Sequence, residues 1–181
     1  PAGLPFARFA QWAWSSFTLS ALAAAAATLL ALALGFALRR RASGSVRDRV
    51  LAGAARVLSL GYAVPGAVIA IGLLLPFGWV QSRWPQSGAA ALFTGTIAGL
   101  VFAYVARFSA VAMQSVEAGY TRVPASVDDT ARTLGTGAWR LWARLHVPLL
   151  RRSAVAAALL VFVDTMKELP ATLALRPFGS D

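Results

Sequence analysis

An all-α bundle of membrane-spanning helices, four of them within this chain, is the fold the sequence predicts, and three observations carry that reading. The 181 residues are 58% apolar and only 13% charged, with a mean hydropathy of +0.65, which is far more hydrophobic than a soluble domain. The apolar residues fall in runs long enough to cross a hydrocarbon core of about 30 Å. The excess of 17 Lys and Arg over 7 Asp and Glu concentrates in two short segments between those runs, as the basic flanks of spanning helices do. No base-stacking platform accompanies these arginines, so the net charge of +10 is assigned to membrane topology and a nucleic-acid partner is excluded. The absence of cysteine rules out a disulfide framework and a thiolate metal site.

The first span is read from about Trp14 to Leu38, with Trp12 and Trp14 as interfacial anchors. Its alanine run, Ala23 to Ala27, permits close helix approach or a plain lipid-facing surface, and both readings stay open. Arg39, Arg40, Arg41, Arg47 and Arg49 follow at once, which puts this end in the cytoplasm and the N-terminus outside. Val46 to Leu60 is basic and amphipathic, and Gly61 to Val80 is almost wholly apolar, with GYAVPG at the junction. Gly61, Pro65 and Gly66 weaken the helical ladder there. The break is either a proline kink or, since broken helices line cavities in membranes, part of a passage marked by Tyr62, Pro65 and Gly66. Gln81 to Gly88, beside Trp79 and containing Trp84 and Pro85, forms a short outer loop. A third span, about Ala89 to Met113, returns inward with Gly95 and Gly99 as a small-residue packing face and Arg107 near its inner end.

Ser126 to Pro148, SVDDTARTLGTGAWRLWARLHVP, reads as two short helices joined at a glycine. Ser126 caps the first, Asp128 and Asp129 favour the positive end of its dipole, and Gly135 stops it. Ala138, Leu141, Trp142 and Leu145 share one face of the second, with Arg140 and Arg144 opposite. Pro148 suits the first turn of the helix that follows. His146, the only histidine, is read as a residue of that helix start. Arg122, Arg132, Arg140, Arg144, Arg151 and Arg152 again mark the cytoplasmic side. The last apolar stretch runs from Ser153 to Val163 before Asp164, Lys167 and Glu168 interrupt it. Lys167 is placed to pair with Asp164, leaving Glu168 to another partner. These charges lie near mid-membrane if the span continues through Pro170 to Leu175, or at the outer interface if it stops at Glu168; a place toward the outer half, facing the bundle interior, is expected. Gating or passage, not metal binding, is their assigned role.

No phosphate loop is present and Lys167 is the sole lysine, so this chain cannot itself supply the usual ATP-binding motif. No nucleophile with a recognisable base appears, which argues against an enzyme.

Asp129-Thr130-Ala131, then Gly135 after three residues, then Leu145-His146-Val147-Pro148 after nine, resembles the E-A-A-x3-G-x9-I-x-L-P loop of permease subunits in ABC importers. Asp129 replaces the usual Glu and Thr130 the first Ala. Phe162 to Phe178, FVDTMKELPATLALRPF, resembles the corresponding segment of ferric-iron permeases. The resemblance runs from about Trp14 to Asp181. It implies a single permease domain over residues 1–181, multi-pass in a bacterial inner membrane and in contact with membrane lipid. Asp129, Thr130, Ala131, Gly135, Leu145, Val147 and Pro148 would seat on a cytoplasmic ABC ATPase dimer. A periplasmic or lipid-anchored binding protein would deliver substrate, and a second permease half would lie on the same chain or a homologous subunit. The chain begins at Pro1 and ends at Asp181 without a closing helix; with the resemblance, it is expected to be the second half of a fused permease lacking its last span. Ferric iron is the substrate the second segment implies; thiamine, phosphonate, polyamine and sulfate importers share the loop, and a non-transporting membrane scaffold is the reading from another class.

Overall fold

The computed structural model describes residues 6–40, 45–87 and 96–168. Arg41, Gly95 and the continuation Pro170 to Leu175 lie outside them. Among the described residues the chain is helical throughout its regular elements. Three helices among the described residues are long and apolar enough to cross a membrane, and a fourth span arises if the bent pair Ala138–Leu149 and Arg151–Met166 is counted as one.

Helix α1, Phe6–Arg39, starts earlier than Trp14; its 34 residues extend about 51 Å at 1.5 Å per residue, well beyond a hydrocarbon core. Ser20, Ala23, Ala27, Ala31 and Leu34 form a buried stripe along it at spacings of three and four, the signature of one helix face. The alanine run is therefore a packing seam: with only a methyl group at each position, partner helices come close enough for dispersion contacts to accumulate. Leu22, Leu29 and Leu30 on the other face are exposed, as suits lipid.

Helix α2, Val46–Leu60, has the predicted bounds, with the Ser45 side chain accepting from the Arg47 N–H as its cap. At the predicted break the helix tightens into a 3₁₀ turn, Gly61–Ala63, and restarts as α3, Gly66–Arg83, capped by Pro65. Gly61 is needed there because a Cβ would overlap the Ala106 carbonyl oxygen. Helix α3 runs on through Gln81, and Pro85–Ser87 adds one 3₁₀ turn.

Helix α4, Ile97–Tyr120, begins where the Thr96 hydroxyl accepts from the Gly99 N–H, and it ends seven residues beyond the expected Met113. Arg107 consequently lies near the middle of this helix and not at its inner end. Helices α5 (Ala125–Thr133), α6 (Ala138–Leu141) and α7 (Val147–Leu149) form the loop, and α8 (Arg151–Met166) follows after a 72° bend. Helices α1, α4 and α8 pack on one another around Tyr104, Val116, Leu150 and Val161. At the loop end α4 meets α8 so closely that a Cβ on Gly119 would overlap the Ser153 side chain.

Gly119→Val is expected to destabilise the full-length protein by about 1–3 kcal/mol through overpacking, read as a lower midpoint of thermal unfolding in detergent. Gly53→Ala, where nothing lies within 4 Å of the added carbon, is expected to leave the midpoint unchanged or raise it.

Candidate functional site

The loop begins at Pro124, which precedes α5 without a side-chain cap, so Ser126 lies inside the helix and is not its cap. Gly135 stops α5 as expected: it adopts a φ of +73°, its N–H donates to Arg132 O at 2.9 Å, and the Thr136 N–H reaches Ala131 O at 3.0 Å. This is the paired closure that a glycine past a helix end permits. Asp129, Thr130, Gly135 and Pro148 are exposed, while Ala131, Leu145 and Val147 are half-buried. Leu134 and Trp139 are 79% and 71% exposed, so two large apolar side chains stand out from this platform. Between α6 and α7 the helix widens into a π turn, Trp142–His146. The widening places Pro148, which has no N–H to donate, without breaking the run.

Beneath the platform lies a cluster that joins three separate parts of the chain. Arg39 Nε at the end of α1 donates to Asp128 Oδ2 at 2.6 Å, and Arg39 Nη2 donates to the carbonyls of Val123 at 2.8 Å and Pro124 at 2.9 Å. His146 Nε2 lies 2.8 Å from Asp128 Oδ1, close but not aligned as a hydrogen bond. The His146 ring is fully buried, between the rings of Phe36 at 5.0 Å and Tyr120 at 5.5 Å. His146 stands at a helix start, directly before α7, and is in addition a buried hub. Burial pushes its imidazole below the ordinary value, against the upward pull of Asp128 and with the added effect of the Arg39 charge. Because Arg39 touches Asp128 and the Tyr120 and Val123 carbonyls, both arginine-rich segments emerge at the same end of the bundle.

A second cluster forms at mid-span. Arg107 Nη1 donates to the Val64 carbonyl, immediately before Pro65, and Arg107 Nε lies 3.4 Å from Glu168 Oε2. The guanidinium rests on Phe108, 5.4 Å from its ring centre, and Phe108 in turn meets Tyr62 at 6.4 Å. The structure thus brings together Tyr62, the Pro65–Gly66 break and Glu168, with Arg107 between them. Glu168 is level with the middle of α4 and not toward its outer end. No ion pair forms between Asp164 and Lys167; Lys167 is exposed and Asp164 half-buried.

Arg39, Asp128, His146 and Arg107 were not singled out as site residues by sequence. Asp128 carried one legible signal, since it precedes Ala131 by one turn and so shares the inward face of α5.

A family model described as "Binding-protein-dependent transport system inner membrane component" matches residues 27–176. The chain is 28% identical over 169 residues to the "Putative 2-aminoethylphosphonate transport system permease protein PhnV" of Salmonella paratyphi A, covering 92% of this chain and 59% of that protein. The proteins of the same description from Salmonella typhimurium and Salmonella typhi are similar to the same degree, at 28% identity over 92% of this chain. The chain spans about three fifths of the length of these relatives.

Removing Asp128 strands a guanidinium that is 16% exposed, and breaking such a pair costs about 3–5 kcal/mol. Asp128→Ala is accordingly expected to expose the loop to proteolysis at Arg132 and Arg144, while Arg39→Met with Asp128→Leu recovers much of the protection. Since the folded state holds His146 neutral, the loop is fully protected above the ordinary imidazole value of about 6.5 and loses protection as pH falls below it. His146→Gln should remove that pH dependence.

Proposed function

The chain belongs to the family of binding-protein-dependent transport system inner membrane components, and we propose on that premise that it forms part of the passage of an ATP-driven importer for an organophosphonate of the 2-aminoethylphosphonate type. The observation that carries the transport reading is the match over residues 27–176 on a bundle that displays the platform Asp129, Thr130, Ala131 and Gly135 at one end. The phosphonate reading is supported by the description of the curated relatives. Ferric iron is the second reading, favoured by the resemblance of the Phe162 to Phe178 segment.

In this proposal a soluble binding protein delivers substrate at the outer face, and an ABC ATPase pair binds ATP and Mg²⁺ at the inner face. The arginine-rich ends support placing the platform in the cytoplasm. One ATPase subunit would receive α5, with Leu134 and Trp139 as apolar anchors of the kind that dominate protein contacts. Leu145, Val147 and Pro148 would connect that docking site to α8. The other permease half, on the same chain or a second subunit, would complete the passage, which is proposed to run past Tyr62, Pro65, Gly66 and Glu168, with Asp164 and Lys167 at the same helix end.

Cells carrying the full-length gene and its partners are expected to take up radiolabelled 2-aminoethylphosphonate and not ferric iron. The reverse result would transfer the assignment to iron, and uptake of neither would favour a non-transporting scaffold. Gly135→Val forces a β-branched residue into a left-handed conformation, and Ala131→Trp enlarges the docking face. Both are expected to lower uptake about tenfold or more at equal membrane levels, while ATP hydrolysis by the partner continues.

A further inference from the structure

Among the described residues two arginine–carboxylate pairs tie separate helices together, and they differ in kind. Arg39 holds Asp128 at 2.6 Å and fills its remaining donors with the Val123 and Pro124 carbonyls, which is the geometry of a fixed structural link. Arg107 approaches Glu168 only to 3.4 Å, its Nε makes no aligned hydrogen bond among the described residues, and its Nη1 donates to the Val64 carbonyl. Its side chain and that of Glu168 are 18% and 10% exposed, so the pair is desolvated yet reachable. Charges at mid-span are expensive to keep, and a loosely closed pair is a weak way to hold helices together.

We infer that Arg107 and Glu168 form a binding site for a zwitterion, the guanidinium receiving a phosphonate group and the carboxylate receiving an ammonium group of the same molecule. This rests on the organophosphonate reading above. A planar guanidinium matches two phosphonate oxygens at once, and the Phe108 ring under it, with Tyr62 against that ring, holds the guanidinium plane in place. The charge balance explains the choice of ligand. Empty, the site neutralises itself. Occupied by a zwitterion it remains neutral, because each charge exchanges one partner for another. A phosphonate without an amine would leave Glu168 facing a like charge, which is strongly unfavourable in a desolvated place.

The test uses the full-length permease with its binding protein and ATPase in proteoliposomes, and measures uptake of 2-aminoethylphosphonate and of ethylphosphonate at equal amounts of assembled complex. Glu168→Gln is expected to lower the ratio of aminated to plain phosphonate uptake about tenfold or more, the loss of one charge-assisted contact. Arg107→Gln is expected to lower both. Equal loss of both substrates in Glu168→Gln, or no loss of either, would overturn the inference alone by leaving the pair a structural link. A wild-type complex that carries neither phosphonate would overturn the inference together with the substrate reading. Where the amide variant does not assemble, Glu168→Asp decides: the shortened carboxylate is expected to lower the same ratio severalfold, and an unchanged ratio overturns the inference.

Discussion

Arg39 closes a long apolar helix with a charge to neutralise and five N–H donors to place. The chain meets that demand with a carboxylate 89 positions away, at 2.6 Å, and with two carbonyls of the turn entering the loop. The cation also suits the C-terminal end of the α1 dipole. Because Asp128 at the same time lies against His146, a single carboxylate connects the end of α1, the first loop helix and the π turn before α8. The platform is thereby tied to the bundle at both its beginning and its end. A tether at one end alone would let the loop swing.

The packing above the clamp follows from the same economy of space. Ala23, Ala27 and Ala31 on α1 and Gly119 on α4 remove side-chain bulk where helices must approach. The large apolar residues are left for the outer faces and for a few buried positions such as Tyr104 and Val116. In lipid there is no hydrophobic gain from bringing two apolar helices together, so close contact has to supply the attraction. Among the described residues the charged exceptions to apolar packing include two arginine clusters, one at the loop end and one at mid-span.

Local features were legible in the sequence. The bounds of α2, the break at Gly61 to Gly66 and the stop at Gly135 each depend on residues next to one another, and each stands where the pattern placed it. The membrane fold class was legible for the same reason, being a property of composition and run length. What failed depended on partners far along the chain. Asp128 does stand in the first turn of α5 and His146 directly before α7, but the Arg39 ion pair of the one and the tertiary burial of the other depend on distant residues, and in place of a Lys167–Asp164 pair it is Glu168 that reaches across to Arg107. The bounds of α4 were missed because Ala89 onward is as apolar as the helix itself, and only the Thr96 cap marks the start.

Held by Arg39 and His146 through one carboxylate, the platform and the end of α1 are expected to move as one body. Spin labels at Arg40 and Thr133, both exposed, in the full-length protein assembled with its ATPase test it directly, by the distance between them with and without nucleotide. The account predicts one narrow distance that shifts by less than about 2 Å when nucleotide binds. A larger shift, or a second distance appearing with nucleotide, would show the loop moving independently of α1 and would contradict it.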